Sequence, residues 1–416
     1  MASYGVGAFG VMASLFALIG GGELITLTAL SYTFGYAALA LFIGYALSFV
    51  FLGIFAKRVR IDDVWLDEPR FSVPDFMSKR IGPIAGWFTF LGSFGAFLSV
   101  LILQFIALGV VLSPLTGYTH EVILVYSVGL VILYLLIAGF RSVVNTDILQ
   151  AILMVIILAV IVAAIGANGA TEMVQSYTFE TMSISLWVSL IVAGLFGGAA
   201  SADVWQRALA AKSTRTARTG FILGGIALLA YGVLISMIGI EAHSLSGIDS
   251  ADTAFVSVLT EHLDTKLIPF AALLLLASVM STIDTQIFLL AGLFERQIFQ
   301  KSNTHKIISA TNRFRFLIVG LAVLASLMSL MFTSIVDVYV WLFSIFTVLS
   351  PFIVMAIFLK LSDKAFSISL GTNVILFGWG IYSGWLNLDN LYLIALSGVV
   401  IYTVAYLLTH YRHEKI

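Results

Sequence analysis

Cysteine is absent from this chain. Its absence excludes a disulfide framework, a thiolate zinc site and a cysteine nucleophile. Charge is scarce: only 10% of the 416 residues are Asp, Glu, Lys or Arg, against about 25% in ordinary soluble domains. The formal net charge is −1, so there is no basic surface for nucleic acid. The six histidines are spread along the chain. These absences exclude a soluble enzyme, a nucleic-acid binder and a disordered chain. What is present is apolar. Hydrophobic residues make up 60% of the sequence and mean hydropathy is +1.07, which marks a chain whose solvent is the lipid bilayer. The first apolar stretch is too long for a secretory signal and has no basic leader.

A spanning helix needs about 20 mostly apolar residues. Twelve segments qualify, at 6–33, 36–56, 82–113, 120–140, 143–166, 184–206, 219–242, 267–295, 314–332, 336–359, 365–385 and 390–410. The alternative, a transmembrane β-barrel, needs alternating strands of about ten residues. These runs are longer and do not alternate. No linker separates a second domain, so residues 1–416 read as one all-α membrane domain. Twelve spans with both termini inside put 20 of the 21 Lys and Arg in cytoplasmic loops and only Lys266 outside. That asymmetry is the positive-inside pattern, and a missed or invented helix would scramble it. The outer loops carry Glu172, Glu180, Asp249, Asp252, Glu261 and Asp264, read as solvated charge.

Two segments are interrupted. Segment 1 contains Gly20-Gly21-Gly22-Glu23, three glycines and a carboxylate in the middle of a span. Each glycine costs about 1 kcal/mol of helix propensity against alanine. Such a run predicts an unwound stretch whose carbonyls face a cavity. Segment 6 repeats the pattern with Gly197-Gly198-Ala199-Ala200-Ser201-Ala202-Asp203. If segments 1–5 (6–166) and 6–10 (184–359) are repeats, the odd repeat length inverts the second copy, and the two breaks face each other. Close packing through small residues is the alternative for segment 6.

Carboxylates well inside the apolar segments are few: Glu23, Asp147, Asp203 and Asp284. Each costs at least about 2.5–3.5 kcal/mol to bury ionised, so each needs a partner or a role. Asp203 lies four residues before Arg207, which predicts an ion pair along the helix. Asp147 follows Asn145 and Thr146 near the start of segment 5, where capping is the simpler role. Segment 8 carries Ser278, Ser281, Thr282 and Thr285 at i, i+3, i+4 and i+7, a hydroxyl stripe on one helix face with Asp284 on the same side. Back-bonding to the preceding turn accounts for one or two such hydroxyls. A full stripe with an aspartate suits a hard cation such as Na⁺.

At these residues the chain resembles the solute:sodium symporter family. Four stretches carry the likeness: Ser72-Val73-Pro74-Asp75-Phe76 with Lys79-Arg80, Gly139 to Asp147 with Gln150, Gln206 to Ser213, and Ala277 to Thr282. The resemblance implies the five-plus-five inverted-repeat fold (LeuT-like, or amino acid-polyamine-organocation) with two extra helices at 365–410. It also implies a principal Na⁺ site made by Ala17, Gly20 and Ser278 carbonyls with Ser281 and Thr282 hydroxyls. A second cation or a proton would sit at Asp147, Ser281, Asp284 and Thr285. Asp284 stands where a hydroxyl residue is more usual in the family. Gly21, Gly22, Glu23, Leu24, Gly197 and Gly198 would line or gate the solute pocket. Leu24 replaces the polar contact of sugar-carrying members, which argues against a sugar.

The implied activity is Na⁺-coupled import of a small organic solute, of amino acid or carboxylate type, through a multi-pass protein of a prokaryotic-type plasma membrane. The expected partners are the solute, sodium and the bilayer, and the pocket would be lined by segments 1, 3, 6, 8 and 10. Two alternatives stay open. One is proton coupling through Asp147, Asp284 or Glu23. The other is a solute sensor, which the chain's end about six residues after its last segment argues against. No nucleophile–base pair or metal cluster suggests an enzyme.

Overall fold

The computed structural model describes residues 5–18, 22–60, 72–138, 152, 154–156, 158–166, 183–245, 247–248, 250–300, 309–332 and 334–413. Within them the chain is helical, with one isolated parallel bridge between Val6 and Ala211. The first apolar segment is divided into α1 (Ala8–Ala17) and α2 (Gly22–Phe34). Then follow α3 (Ala37–Ile54), the short α4 (Ala56–Arg60), the loop helix α5 (Val73–Arg80), α6 (Pro83–Thr116), α7 (His120–Ala138) and α8 (Met154–Gly166). The second half comprises α9 (Ile184–Ala200), α10 (Ala202–Ala210), α11 (Thr214–Ser244), α12 (Ala254–His262), α13 (Ile268–Phe294) and α14 (Ala310–Ser329). The last three are α15 (Ile335–Phe358), α16 (Asp363–Tyr382) and α17 (Tyr392–His413).

Eight helices among the described residues are long and apolar enough to cross a membrane, or nine when α9 and α10 count as one bent span. The divided first segment and the shorter apolar helices α3 and α8 coincide with the other expected spans. Helix starts differ where a polar cap precedes the apolar run. The seventh segment begins at Thr214, because Ser213 Oγ accepts the Thr216 amide at 3.1 Å. The ninth begins at Ala310, because Ser309 Oγ accepts the Asn312 amide at 3.3 Å. Capping turns are polar and therefore lie outside a hydropathy window.

Packing sorts the helices into two groups. In one, α3 lies between α9 and α11, and α11 runs along α1 and α2. In the other, α6 packs on α13 and α14, and α14 also packs on α7. Helix α15 joins the groups by packing on both α6 and α9. The two sequence halves are thus interleaved. Glycines allow the first group to close: a Cβ at Gly44 would lie 2.2 Å from the Ile191 carbonyl oxygen, and one at Gly194 would lie 2.4 Å from that of Leu41. Membrane helices use such small-residue contacts because lipid offers no hydrophobic drive for association.

The loop-motif residues tie elements together. Ser72 Oγ donates to Asp75 Oδ2 at 2.6 Å, and Arg296 reaches the same carboxylate at 2.5 Å. Arg80 Nε donates to the Ala356 carbonyl at 3.1 Å. Asp363 of α16 accepts the Ile84 and Ala85 amides at 3.0 and 2.8 Å, capping α6 from another helix. The segment before α1 is bonded to the end of α10 and the residues just after it: the Gly5 and Val6 amides each donate to the Ala210 carbonyl at 3.1 Å, and the Lys212 amide donates to that of Val6 at 3.0 Å.

Asp252 departs from the expected solvated loop charge. It is 6% exposed and accepts the Ile335 amide at the start of α15 at 3.0 Å. Burial raises its pKa above the ordinary aspartate value.

Candidate functional site

Both interrupted segments border one cavity. Between α9 and α10 the axis turns by 51°. The hinge is Ser201, whose extended φ and ψ of −69° and 126° end one helix and start the next. The break therefore falls three residues after Gly198, not at the Gly-Gly pair. Gly197 and Gly198 stay helical in α9. Gly198 serves packing, since a Cβ there would collide with Ser48 Oγ at 2.0 Å, whereas Gly197 lines the cavity. At the first break, Ala17 closes α1 and Gly22 opens α2, while Gly20 and Gly21 lie outside the described residues.

The cavity has about 600 Å³ of empty space, including the part open to solvent. Its polar lining is Glu23 of α2, Tyr45 of α3, Ser201 and Asp203 at the second break, Gln286 of α13 and Tyr339 of α15. Phe49, Phe97 and Phe346 supply most of the aromatic wall. Segments 1, 3, 6, 8 and 10 all contribute, and segment 2 adds Tyr45 and Phe49. No Lys, Arg or His is among its described lining residues.

Each carboxylate has a partner that sequence spacing did not show. Gln104 Nε2 of α6 donates to Glu23 Oε2 at 2.9 Å. Asp203 Oδ1 accepts the Val204 amide at 2.7 Å and the Ser201 hydroxyl. The expected Asp203–Arg207 ion pair is corrected: Arg207 Nη1 donates instead to the main-chain oxygen of Asp203 at 2.9 Å. At the hinge, Asp203 is near its helix N-terminus, where amides and the helix dipole favour a carboxylate more locally than a side chain one turn on. The Trp205 indole donates to the Ala199 carbonyl at 2.8 Å, satisfying an acceptor freed by the bend.

Of the cation-site expectations, Thr282 is buried on α13, and Ser278 and Ser281 lie on the same helix. Asp147 lies outside the described residues. Asp284 is buried and accepts the Tyr134 hydroxyl of α7 at 2.9 Å, and Thr285 Oγ1 approaches its other oxygen at 3.4 Å. Leu24 is fully buried in α2. Gln104, Gln286 and Tyr134 were not anticipated. The available signal was an isolated amide or phenol in an otherwise apolar run, and its partner was hidden.

The sodium:solute symporter family model matches residues 1–366. The chain belongs to the sodium:solute symporter family. Membership makes it a transporter rather than an enzyme, and its activity is symport of a solute with sodium. No curated protein matches it. Among solved structures it is similar to the substrate-bound, outward-open state of a Na⁺-coupled sialic acid symporter, with a TM-score of 0.82 and 16% identity over 97% of this chain and 90% of that one. It is also similar to a nucleobase-cation-symport-1 family transporter closed around bromovinylhydantoin, with a TM-score of 0.58 and 15% identity over 97% and 93% of the chains. The same transporter in an inward-facing conformation matches with a TM-score of 0.62 and 13% identity over 99% and 92%. These likenesses show a shared inverted-repeat transporter fold.

Proposed function

We propose that this family member imports a small organic solute with Na⁺ by alternating access, across a prokaryotic-type plasma membrane and with both termini cytoplasmic. Residues 6–166 and 184–359 act as the two inverted repeats of a single domain, and 365–410 add two helices. The observation that carries the reading is the cavity, which is bordered by both interrupted segments and lies where the two packing groups meet. Unwound backbone at membrane depth is tolerated where it lines such a cavity.

Na⁺ binds at the Ala17, Gly20 and Ser278 carbonyls and the Ser281 and Thr282 hydroxyls. There it orders the first break and completes the adjoining solute pocket. Coupling follows from linkage: an ion that favours the outward-open state raises solute affinity in that state, and the solute does the same for the ion. At −100 mV one inward charge yields about 2.3 kcal/mol, which supports roughly 50-fold accumulation. The groups α1–α3 with α9–α11, and α6 with α7, α13 and α14, are the bodies that rock against each other.

A second reading, proton coupling, draws on Asp284, because its carboxylate is buried against Tyr134. A thermal-shift titration with NaCl against KCl at equal ionic strength separates the two. A Na⁺-selective rise in melting temperature that is lost in Ser281→Ala and Thr282→Ala supports the sodium site. A response to pH alone, abolished by Asp284→Asn, replaces it with proton coupling.

A further inference from the structure

We propose that the solute carried in this cavity is a cation bearing N–H donors, a protonated amine without a carboxylate. The proposal rests on the cavity being the solute site. It reverses the carboxylate-type solute implied by resemblance.

The first argument is the polarity of the two half-helices. Broken helices commonly aim their positive N-termini at an anionic group of the substrate. Here both α2 and α10 carry an acidic residue in the first turn, Glu23 and Asp203. The protein's own carboxylates therefore occupy the positive ends, and both face the cavity. An anionic solute would meet two carboxylates, and no described lining residue carries a positive side chain to offset them.

The second argument is an open acceptor. Asp203 is 7% exposed and lines the cavity. Its Oδ1 already accepts two hydrogen bonds, whereas Oδ2 has none among the described residues. A carboxylate oxygen left without a donor is costly to bury, and a solute N–H satisfies it.

The third argument is the wall. Tyr45, Tyr339, Phe49, Phe97 and Phe346 line the space. Aromatic faces attract a desolvated ammonium through the ring quadrupole. They also accommodate the apolar body of an amine.

The test uses purified full-length protein in saturating NaCl. Matched probes are 2-phenylethylamine, phenylacetate, phenylalanine and 2-phenylethanol, with putrescine, glutarate and glycerol as a second, unbranched set. Binding is read as a further thermal shift. Transport is read as current from proteoliposomes on a solid-supported membrane. The expected result is that ligands come from the amines, and that Glu23→Gln and Asp203→Asn weaken them by about tenfold or more. The Na⁺-induced shift must persist in each variant, which shows that the protein is folded and its ion site intact. Three results overturn the assignment. These are ligands drawn from the carboxylates, amino acid or neutral compounds, amine binding unaffected by Asp203→Asn, or no amine response in protein that still responds to Na⁺. Loss of the Na⁺ response in wild type instead overturns the symport reading on which the proposal stands.

Discussion

Replacing Gly44 by alanine should separate α3 from α9. The new Cβ would lie 2.2 Å from the Ile191 carbonyl oxygen, where ordinary contact begins at 3.4 Å. The shortfall is 1.2 Å, and the obstacle is backbone of a packed helix, not a side chain that rotates away. A gap of 0.5–1 Å already forfeits about a quarter to a half of each dispersion well along an interface. Overpacking of this kind costs about 1–3 kcal/mol. For a large domain that corresponds to a fall in melting temperature on the order of 2–6 °C. Gly194→Ala should behave alike, since its Cβ meets the Leu41 oxygen at 2.4 Å across the same interface. The double variant should lose less than the sum, because the first substitution has already opened the contact. Gly129→Ala on α7 is the control: nothing lies within 4 Å of its Cβ, so alanine should be neutral or slightly stabilising. The assay is thermal unfolding of detergent-purified protein followed by fluorescence-detected size exclusion. Equal stability of Gly44→Ala and Gly129→Ala would refute the close-packing argument. So would strict additivity of the Gly44 and Gly194 changes.

Three further outcomes are expected. Tyr134→Phe removes the hydroxyl that donates to Asp284 at 2.9 Å and should lower stability by about 1–2 kcal/mol. A melting temperature equal to wild type would show that the α7–α13 contact rests on apolar packing alone. Asp363→Ala uncaps α6 by removing the acceptor of the Ile84 and Ala85 amides. It should cost about 1 kcal/mol, with Asp363→Asn nearer wild type, and identical losses for the two would deny the capping role. Asp252 has a folded pKa raised by burial, so the folded state keeps its proton to higher pH than the unfolded state. Stability should decline as pH rises from the ordinary aspartate range through the raised value. Asp252→Asn, which retains an acceptor for Ile335, should flatten that decline and be the more stable protein at neutral pH. A parallel pH profile for the variant would rule this out.

Much of the architecture is legible along the chain because its causes are local. Span positions follow from runs of apolar residues near 20, as α6 and α15 show, and the positive-inside asymmetry follows from counting Lys and Arg between them. The interruption of segment 6 was readable too, in the run of small residues before Asp203. The errors have a common origin. The second bend sits at Ser201 rather than at Gly197-Gly198, because the glycines are held helical by contact with α3, where Gly198 meets Ser48. Arg207 turns to main chain because Asp203 is already claimed by the Val204 amide at the hinge. Gln104 meets Glu23 across 81 residues and Tyr134 meets Asp284 across 150, and no periodicity links such pairs. Hydropathy and charge are sums over neighbours in sequence, so they establish which segments enter the membrane. Which faces of those segments meet depends on helix rotation, set by many small contacts such as Gly44 on Ile191 that exist only once the helices have assembled. The acidic, aromatic cavity arises at that second level.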